Sequence, residues 1–148
     1  MAVDIQTQVL IQRPRAEVAA FMFDPRNDAI WTTGVVESRP LTEGPLRVGS
    51  RVERISKFMG RQFGYVYEVT ATDGTSYVEI KVTEPFPMQI RYELEDSAEG
   101  TTARIRAAGG GTGFFKVAAP LMSRMVKRNI TNDLELMKEY LEARAAGG

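Results

Sequence analysis

The segment Thr112–Ala145, TGFFKVAAPLMSRMVKRNITNDLELMKEYLEARA, decides how this 148-residue chain is read. It alone carries helical periodicity over a long distance. Phe114, Ala118, Leu121 and Met125 form one apolar set, and Ile130, Leu134, Met137 and Leu141 form another. Steps of three and four residues place each set on one helix face. At about 100° per residue the two faces lie almost opposite, and Val126, Leu136 and Tyr140 widen the first toward the second. Pro120 removes a backbone bond inside the first set, so a bend is expected near 116–120. Such a helix would run for roughly 45 Å, longer than closing a small core requires. Two apolar faces on one long helix, after many strands, imply a helix laid across a curved sheet.

Upstream of this helix the pattern is mostly strands. Val3, Ile5, Thr7, Val9 and Ile11 alternate with polar residues, the period of a half-buried strand. Pro14 suits the first turn of a helix that runs to Phe23 with Val18, Ala19, Phe21 and Met22 on its apolar face. Asp24-Pro25 breaks it, and 26–31 reads as a second short helix. Six strands follow, expected over 35–41, 48–59, 62–71, 76–84, 88–95 and 101–108. Turn signals separate them, including Asp73-Gly74, and no interval is long enough for a crossover helix. The pairing should therefore be antiparallel, within one domain spanning 1–148.

Composition narrows the chemistry. Nineteen Lys and Arg balance nineteen Asp and Glu, interspersed rather than blocked, which argues against a nucleic-acid or anionic-membrane partner. There is no cysteine and no histidine. Disulfides, thiolate nucleophiles, Ser-His-Asp systems and histidine zinc sites are thereby excluded. Catalysis, if any, must rest on carboxylates, Lys, Tyr, Arg or water, and neither a metal nor a cofactor is expected. The opening MAVDIQTQVLIQRP has no basic and apolar leader pattern, and no apolar run is long enough to span a bilayer. A cytoplasmic protein without stable membrane insertion, monomeric or homodimeric, is the expectation.

The order of strand, two short helices, six strands and long C-terminal helix resembles the START-like (SRPBCC, helix-grip) superfamily, in its polyketide cyclase/dehydrase-type branch. Arg13-Pro14 with Val18 opening the first helix, Trp31 after the second, Val48-Gly49-Ser50 leading a strand, and the glycine-rich entry to the last helix carry the likeness. The resemblance implies an α+β fold in which a seven-stranded curved antiparallel sheet wraps the C-terminal helix, with a largely apolar cavity between them. It fixes no ligand, because carriers, sensors, cyclases and chaperone regulators share the frame.

Several side chains are candidates for lining such a cavity. Phe63, Tyr65 and Tyr67 share one strand face, and Tyr92 lies with Ile90 and Leu94 on another. Tyrosine hydroxyls inside an apolar pocket are a common ligand-site composition, although ordinary core aromatics give the same pattern. Trp31 stands either as a lid residue near the cavity mouth or as an anchor for its short helix. Met122 and Met125, with Met59, offer an adaptable thioether lining or plain core filling. Asn129 flanks the first helix stripe and could orient a ligand carbonyl or hydroxyl, whereas Asn132 reads as solvent-facing. Ala108–Gly113 lacks the P-loop ending and reads as a joint, with Thr112 as a cap. Glu53, Glu68, Glu79 and Lys81 read as the solvated sheet face.

The leading expectation is a protein that binds or transports a small hydrophobic molecule, aromatic, polyketide-like or lipid. The alternatives are an aromatase/cyclase or dehydratase, and a protein-interaction or chaperone-regulator module using the sheet's outer face. An inward-facing Arg54 or Glu53 near Tyr65 or Tyr67 would favour the enzyme. An apolar cavity without close titratable pairs would favour the carrier, and a filled one the interaction module.

Overall fold

Two strands adjacent in sequence, β1 (Val3–Ile11) and β2 (Val35–Pro40), occupy opposite edges of one seven-stranded antiparallel sheet. The computed structural model describes residues 3–58, 60–84, 87–109 and 113–147, and side chains at 4–57, 60–84, 87–109 and 123–145. Between the edges lie β3 (Arg51–Phe58), β4 (Arg61–Thr72), β5 (Tyr77–Val82), β6 (Met88–Ser97) and β7 (Gly100–Gly109), in the order β1-β7-β6-β5-β4-β3-β2. The short helices α1 (Arg15–Met22) and α2 (Asp28–Trp31), joined by a 3₁₀ turn at Pro25–Asn27, make the passage from one edge to the other. That connection explains an insertion a simple meander would not need. The long helix α3 (Gly113–Gly147) packs mainly along β1 and also touches β7 and α2. This is the α+β helix-grip architecture.

Alternation builds the core. Val52, Tyr67, Val69, Val78, Ile80, Tyr92, Leu94, Ala103 and Ile105 are buried on the inner sheet face, and Ile130, Leu134, Met137 and Leu141 of α3 join the same cluster. Thus the second helical stripe closes the core among the described side chains. Of the first stripe, Met125 and Val126 are half-buried, whereas Phe114, Ala118 and Leu121 lie outside the described side chains. So do Met122 and Met59, and Thr112 is outside the described residues. α3 is helical through Pro120 without a break. Irregular register between Val35 and Glu37, and between Val69 and Ala71, marks bulges of the kind that bend a sheet.

One strand begins later than its composition suggests. Arg47–Ser50 forms a turn rather than the start of β3: Gly49 has φ 93°, and the Ser50 amide donates to the Arg47 carbonyl at 2.9 Å. Val48 is consequently exposed. A tighter constraint sits at Gly100, in the β6–β7 turn, with φ 148°. A Cβ there would lie 2.2 Å from the Ile11 carbonyl oxygen and 2.9 Å from Gln12 Cα. Both atoms are backbone and neither can step aside. Gly100→Ala should therefore destabilise the fold by about 2 kcal/mol, read by thermal denaturation. An unchanged melting temperature would show that the turn can relax away from β1.

Candidate functional site

Arginine is the residue that organises the interior. Arg54, on β3, is 2% exposed, and so is Asp28 on α2. The Arg54 Nε donates to Asp28 Oδ2 at 2.9 Å, and Ser38 of β2 donates to the same oxygen at 3.1 Å. Register makes this local: Ser38 pairs with Arg54, and Arg54 with Tyr65, so the three form one row across β2, β3 and β4. The two remaining guanidinium nitrogens point at tyrosines. Nη1 lies 3.5 Å from the Tyr65 hydroxyl and Nη2 3.3 Å from that of Tyr92. The Tyr67 ring sits 4.7 Å from the guanidinium carbon, a cation–π contact.

Tyr92 belongs to β6, three strands from β3 in the sheet order. On a flat sheet that separation would be about 14 Å. The curl of the sheet and two long side chains close the gap. Trp31 completes the group: it is 1% exposed, its ring 5.7 Å from that of Tyr92 and nearly edge-on at 62°. Phe63 packs on Tyr65 with ring centres 5.9 Å apart.

The charges are settled by surroundings. Burial works against a charged Arg54, but Asp28 beside it and the encircling tyrosines hold its pKa well above the usual guanidinium value. Burial raises the Asp28 carboxyl, opposed by Arg54 and by the Ser38 hydroxyl. Burial also raises the Tyr67 and Tyr92 phenols, against the pull of Arg54. These hydroxyls stay protonated, so the cluster is a fixed array of neutral and cationic donors with its charge already balanced. A second buried carboxylate, Asp133 of α3, accepts from the Thr33 amide at 2.6 Å. Burial pushes it up to about 6, opposed by the Thr33 bonds and by the charge of Arg54.

Three of the candidates, Tyr65, Tyr67 and Tyr92, thus surround one arginine, with Trp31 against Tyr92 and Phe63 behind Tyr65. Met125 and Asn129 are half-buried on α3. Asn132 is exposed, yet it donates to Thr33 Oγ1 at 3.1 Å. Asp28 and Asp133 were not anticipated as site residues. Glu53, Glu68 and Glu79 are half-buried and Lys81 is exposed; Glu79 lies 3.6 Å from Arg91 in a charged network on the outer face. A groove of about 1200 Å³ opens elsewhere, between α1, the 40–46 loop and the β4–β5 turn. Its rim cations are already occupied, Arg15 by Asp96 and Arg26 by Asp24, and it contains none of the clustered tyrosines. Volume favours the groove, but convergent donors favour the interior, and recognition chemistry requires the donors. Among the described residues no helix is long and apolar enough to cross a membrane.

Comparison with known proteins agrees with this architecture. The sequence profile of a family described as polyketide cyclase / dehydrase and lipid transport matches residues 2–142. No curated protein matches the sequence. Among solved structures, the di-domain ARO/CYC StfQ from the steffimycin biosynthetic pathway superposes with TM-score 0.80 at 12% identity, over 99% of this chain and 52% of that one. The di-domain ARO/CYC BexL from the BE-7585A pathway gives 0.76 at 17% identity, over 94% and 46%. A protein of Nitrosomonas europaea gives 0.76 at 16%, covering 97% of both chains. This chain spans about half the length of each di-domain protein, and at these identities the likeness is one of fold.

Proposed function

The chain belongs to the polyketide cyclase/dehydrase and lipid transport family, and from its interior cluster we propose that it binds a small, neutral, largely apolar molecule through a carbonyl or phenol oxygen. The observation that carries this reading is the convergence of Arg54, Tyr65 and Tyr92 at 3.3–3.5 Å within an apolar core. Because Asp28 already balances Arg54, the site offers hydrogen-bond donors without net charge, which suits a carbonyl better than a carboxylate. The Tyr65 hydroxyl is the donor to test, since its bond to Arg54 is long and the residue is only half-buried. Tyr65→Phe should weaken binding of α-tetralone by roughly three- to ten-fold while leaving naphthalene unchanged. Calorimetry with both probes reads the difference. Equal losses for both, or none for either, would place the polar end of the ligand elsewhere.

Turnover is the second reading, and a specific observation favours it: Arg54 faces inward beside Tyr65, the arrangement expected to favour an enzyme. In a cyclisation, a base removes an α-proton, the enolate attacks a second carbonyl, and loss of water follows. Arg54 and the protonated tyrosines would stabilise the enolate oxygen. Asp133, near neutral pH in its titration, is the carboxylate suited to exchange the proton. Incubation with a linear poly-β-ketone thioester, followed by mass spectrometry, should then reveal a product lighter by one water. Unchanged substrate, bound but intact, leaves binding as the function.

A further inference from the structure

Along the sequence the charges are interspersed, but in space five cations gather at one end of the fold. Arg124, Lys127 and Arg128 of α3 are exposed and share one helical stripe, at spacings of three and four. With Thr131, Asn132 and Glu135 they border a shallow depression of about 490 Å³. Lys57 and Arg61, also exposed, flank the turn of the β3–β4 hairpin. Among the described residues none of the five forms an ion pair, whereas most other surface arginines hold a carboxylate, as Arg13 holds Glu17 and Arg106 holds Asp4. The residues whose side chains lie outside the description include no Asp or Glu.

Register puts both elements at the same end. Val3, Gly109, Met88, Val82 and Tyr67 pair in one row from β1 to β4. From Tyr67 the hairpin runs on to Arg61, about 20 Å beyond that row. α3 lies alongside β1 and runs the same way: Thr131 meets Thr7, Lys138 the Leu10 carbonyl, and Glu142 the Gln12 amide. At about 1.5 Å per helical residue against about 3.3 Å in the strand, Arg124–Arg128 stands beside the start of β1, and the helix continues about 14 Å past it. In sequence those further turns, 113–123, read GFFKVAAPLMS, with Lys116 as their single charge. Against the five cations stand Glu135, at the far end of the stripe, and Glu84 after β5; Asp4 is held by Arg106. A chain with no net charge therefore carries a positive end.

We propose that this end docks reversibly on a bilayer surface containing anionic lipid, the α3 stripe and the β3–β4 hairpin contacting headgroup phosphates together. Cations spread over two elements fit a surface of mobile anionic headgroups, which can gather under each of them. The nearly uncharged stretch next to the stripe favours lipid over an acidic protein, because a bilayer accepts apolar groups beside its phosphates. The contact is peripheral and electrostatic, so salt weakens it. Docking brings the hairpin that carries Tyr65 to the lipid surface. The proposal stands apart from the interior site, since it concerns exposed cations only.

The full chain is to be floated with vesicles of phosphatidylcholine alone and of phosphatidylcholine with about 30% phosphatidylglycerol, at low and at physiological salt. Binding should be confined to the anionic vesicles and should fall as salt rises. A cation near such a surface is worth roughly five-fold in affinity. Arg124→Ala with Lys127→Ala and Arg128→Ala should therefore weaken binding roughly a hundred-fold, and Lys57→Ala with Arg61→Ala roughly twenty-five-fold. Alanine suits exposed helical positions, so the triple variant keeps its fold, which circular dichroism checks. Arg26→Ala with Arg47→Ala and Arg144→Ala makes the same change in net charge at the opposite end and should alter affinity less than about two-fold. An equal loss in that control, no binding to the anionic vesicles, or binding that survives either set of substitutions overturns the proposal. Binding of poly-glutamate without binding of anionic vesicles also overturns it, and assigns the cations to an acidic protein instead.

Discussion

Arg54→Ala will lower stability by about 3–5 kcal/mol, the largest effect expected of any single substitution in the interior. The reason is the residue it leaves behind. Asp28 is 2% exposed, and among the described residues its ion-pair partner is the guanidinium 2.9 Å away. Removing one partner of a buried pair strands a charge in a medium that cannot solvate it. At roughly 2–4 °C per kcal/mol for a chain of this size, the melting temperature should fall by about 6–20 °C. The double substitution Arg54→Met with Asp28→Leu separates stability from recognition. Apolar groups of similar bulk can replace a buried pair at little cost, so the double variant should recover most of the lost stability. It should not recover tetralone binding, because the central donor is gone. A single variant that melts within 1–2 °C of native protein would mean that water reaches the pair, and the site would have to be redrawn as open and solvated.

How much of this was visible in the sequence depends on which distances a pattern can carry. Strands announce themselves because alternation is local, and Val3 to Ile11 shows the same period in sequence and in space. The helix stripe Ile130, Leu134, Met137 and Leu141 is local for the same reason, and it is buried. Asp133 is legible too. It sits three residues after Ile130 and four before Met137, so a carboxylate stood inside an apolar stripe. Arg54 was harder. In Val52-Glu53-Arg54-Ile55, apolar residues occupy both phases, so composition alone leaves the inward face of β3 undecided. Register decides it, since Arg54 pairs with Tyr65 on a strand whose phase is clear. Asp28 and Tyr92 meet Arg54 only through the curl of the sheet and the passage of α2 from edge to edge, and no spacing encodes that. Trp31 is the clearest case of a residue whose type was informative while its role was not. One tryptophan can anchor or cover, and only the packing against Tyr92 places it inside.

Asp133 should give the protein a pH response opposite in sign to that of an ordinary carboxylate. In the unfolded chain its pKa is near 3.8, and in the folded protein burial lifts it to about 6. Between those values the folded state holds the proton more often, so stability falls as pH rises. The contribution is fully present below the unfolded pKa and is lost as pH climbs through about 6. At 1.36 kcal/mol per pH unit, a displacement of about two units corresponds to about 3 kcal/mol. Other carboxylates work the other way. Asp24 and Glu93, held low by their hydrogen bonds to Arg26 and Arg91, add stability above their unfolded pKa that is lost on acidification. The raw profile therefore mixes both signs, and Asp133→Asn isolates one of them. Asparagine keeps an oxygen for the Thr33 amide and cannot titrate. Urea denaturation of both proteins should show native protein losing about 2.5 kcal/mol relative to the Asn variant between about pH 4 and pH 7.5. A constant difference across that range would mean that Asp133 is ionised throughout, and that α3 holds the Thr33 turn with a permanent charge.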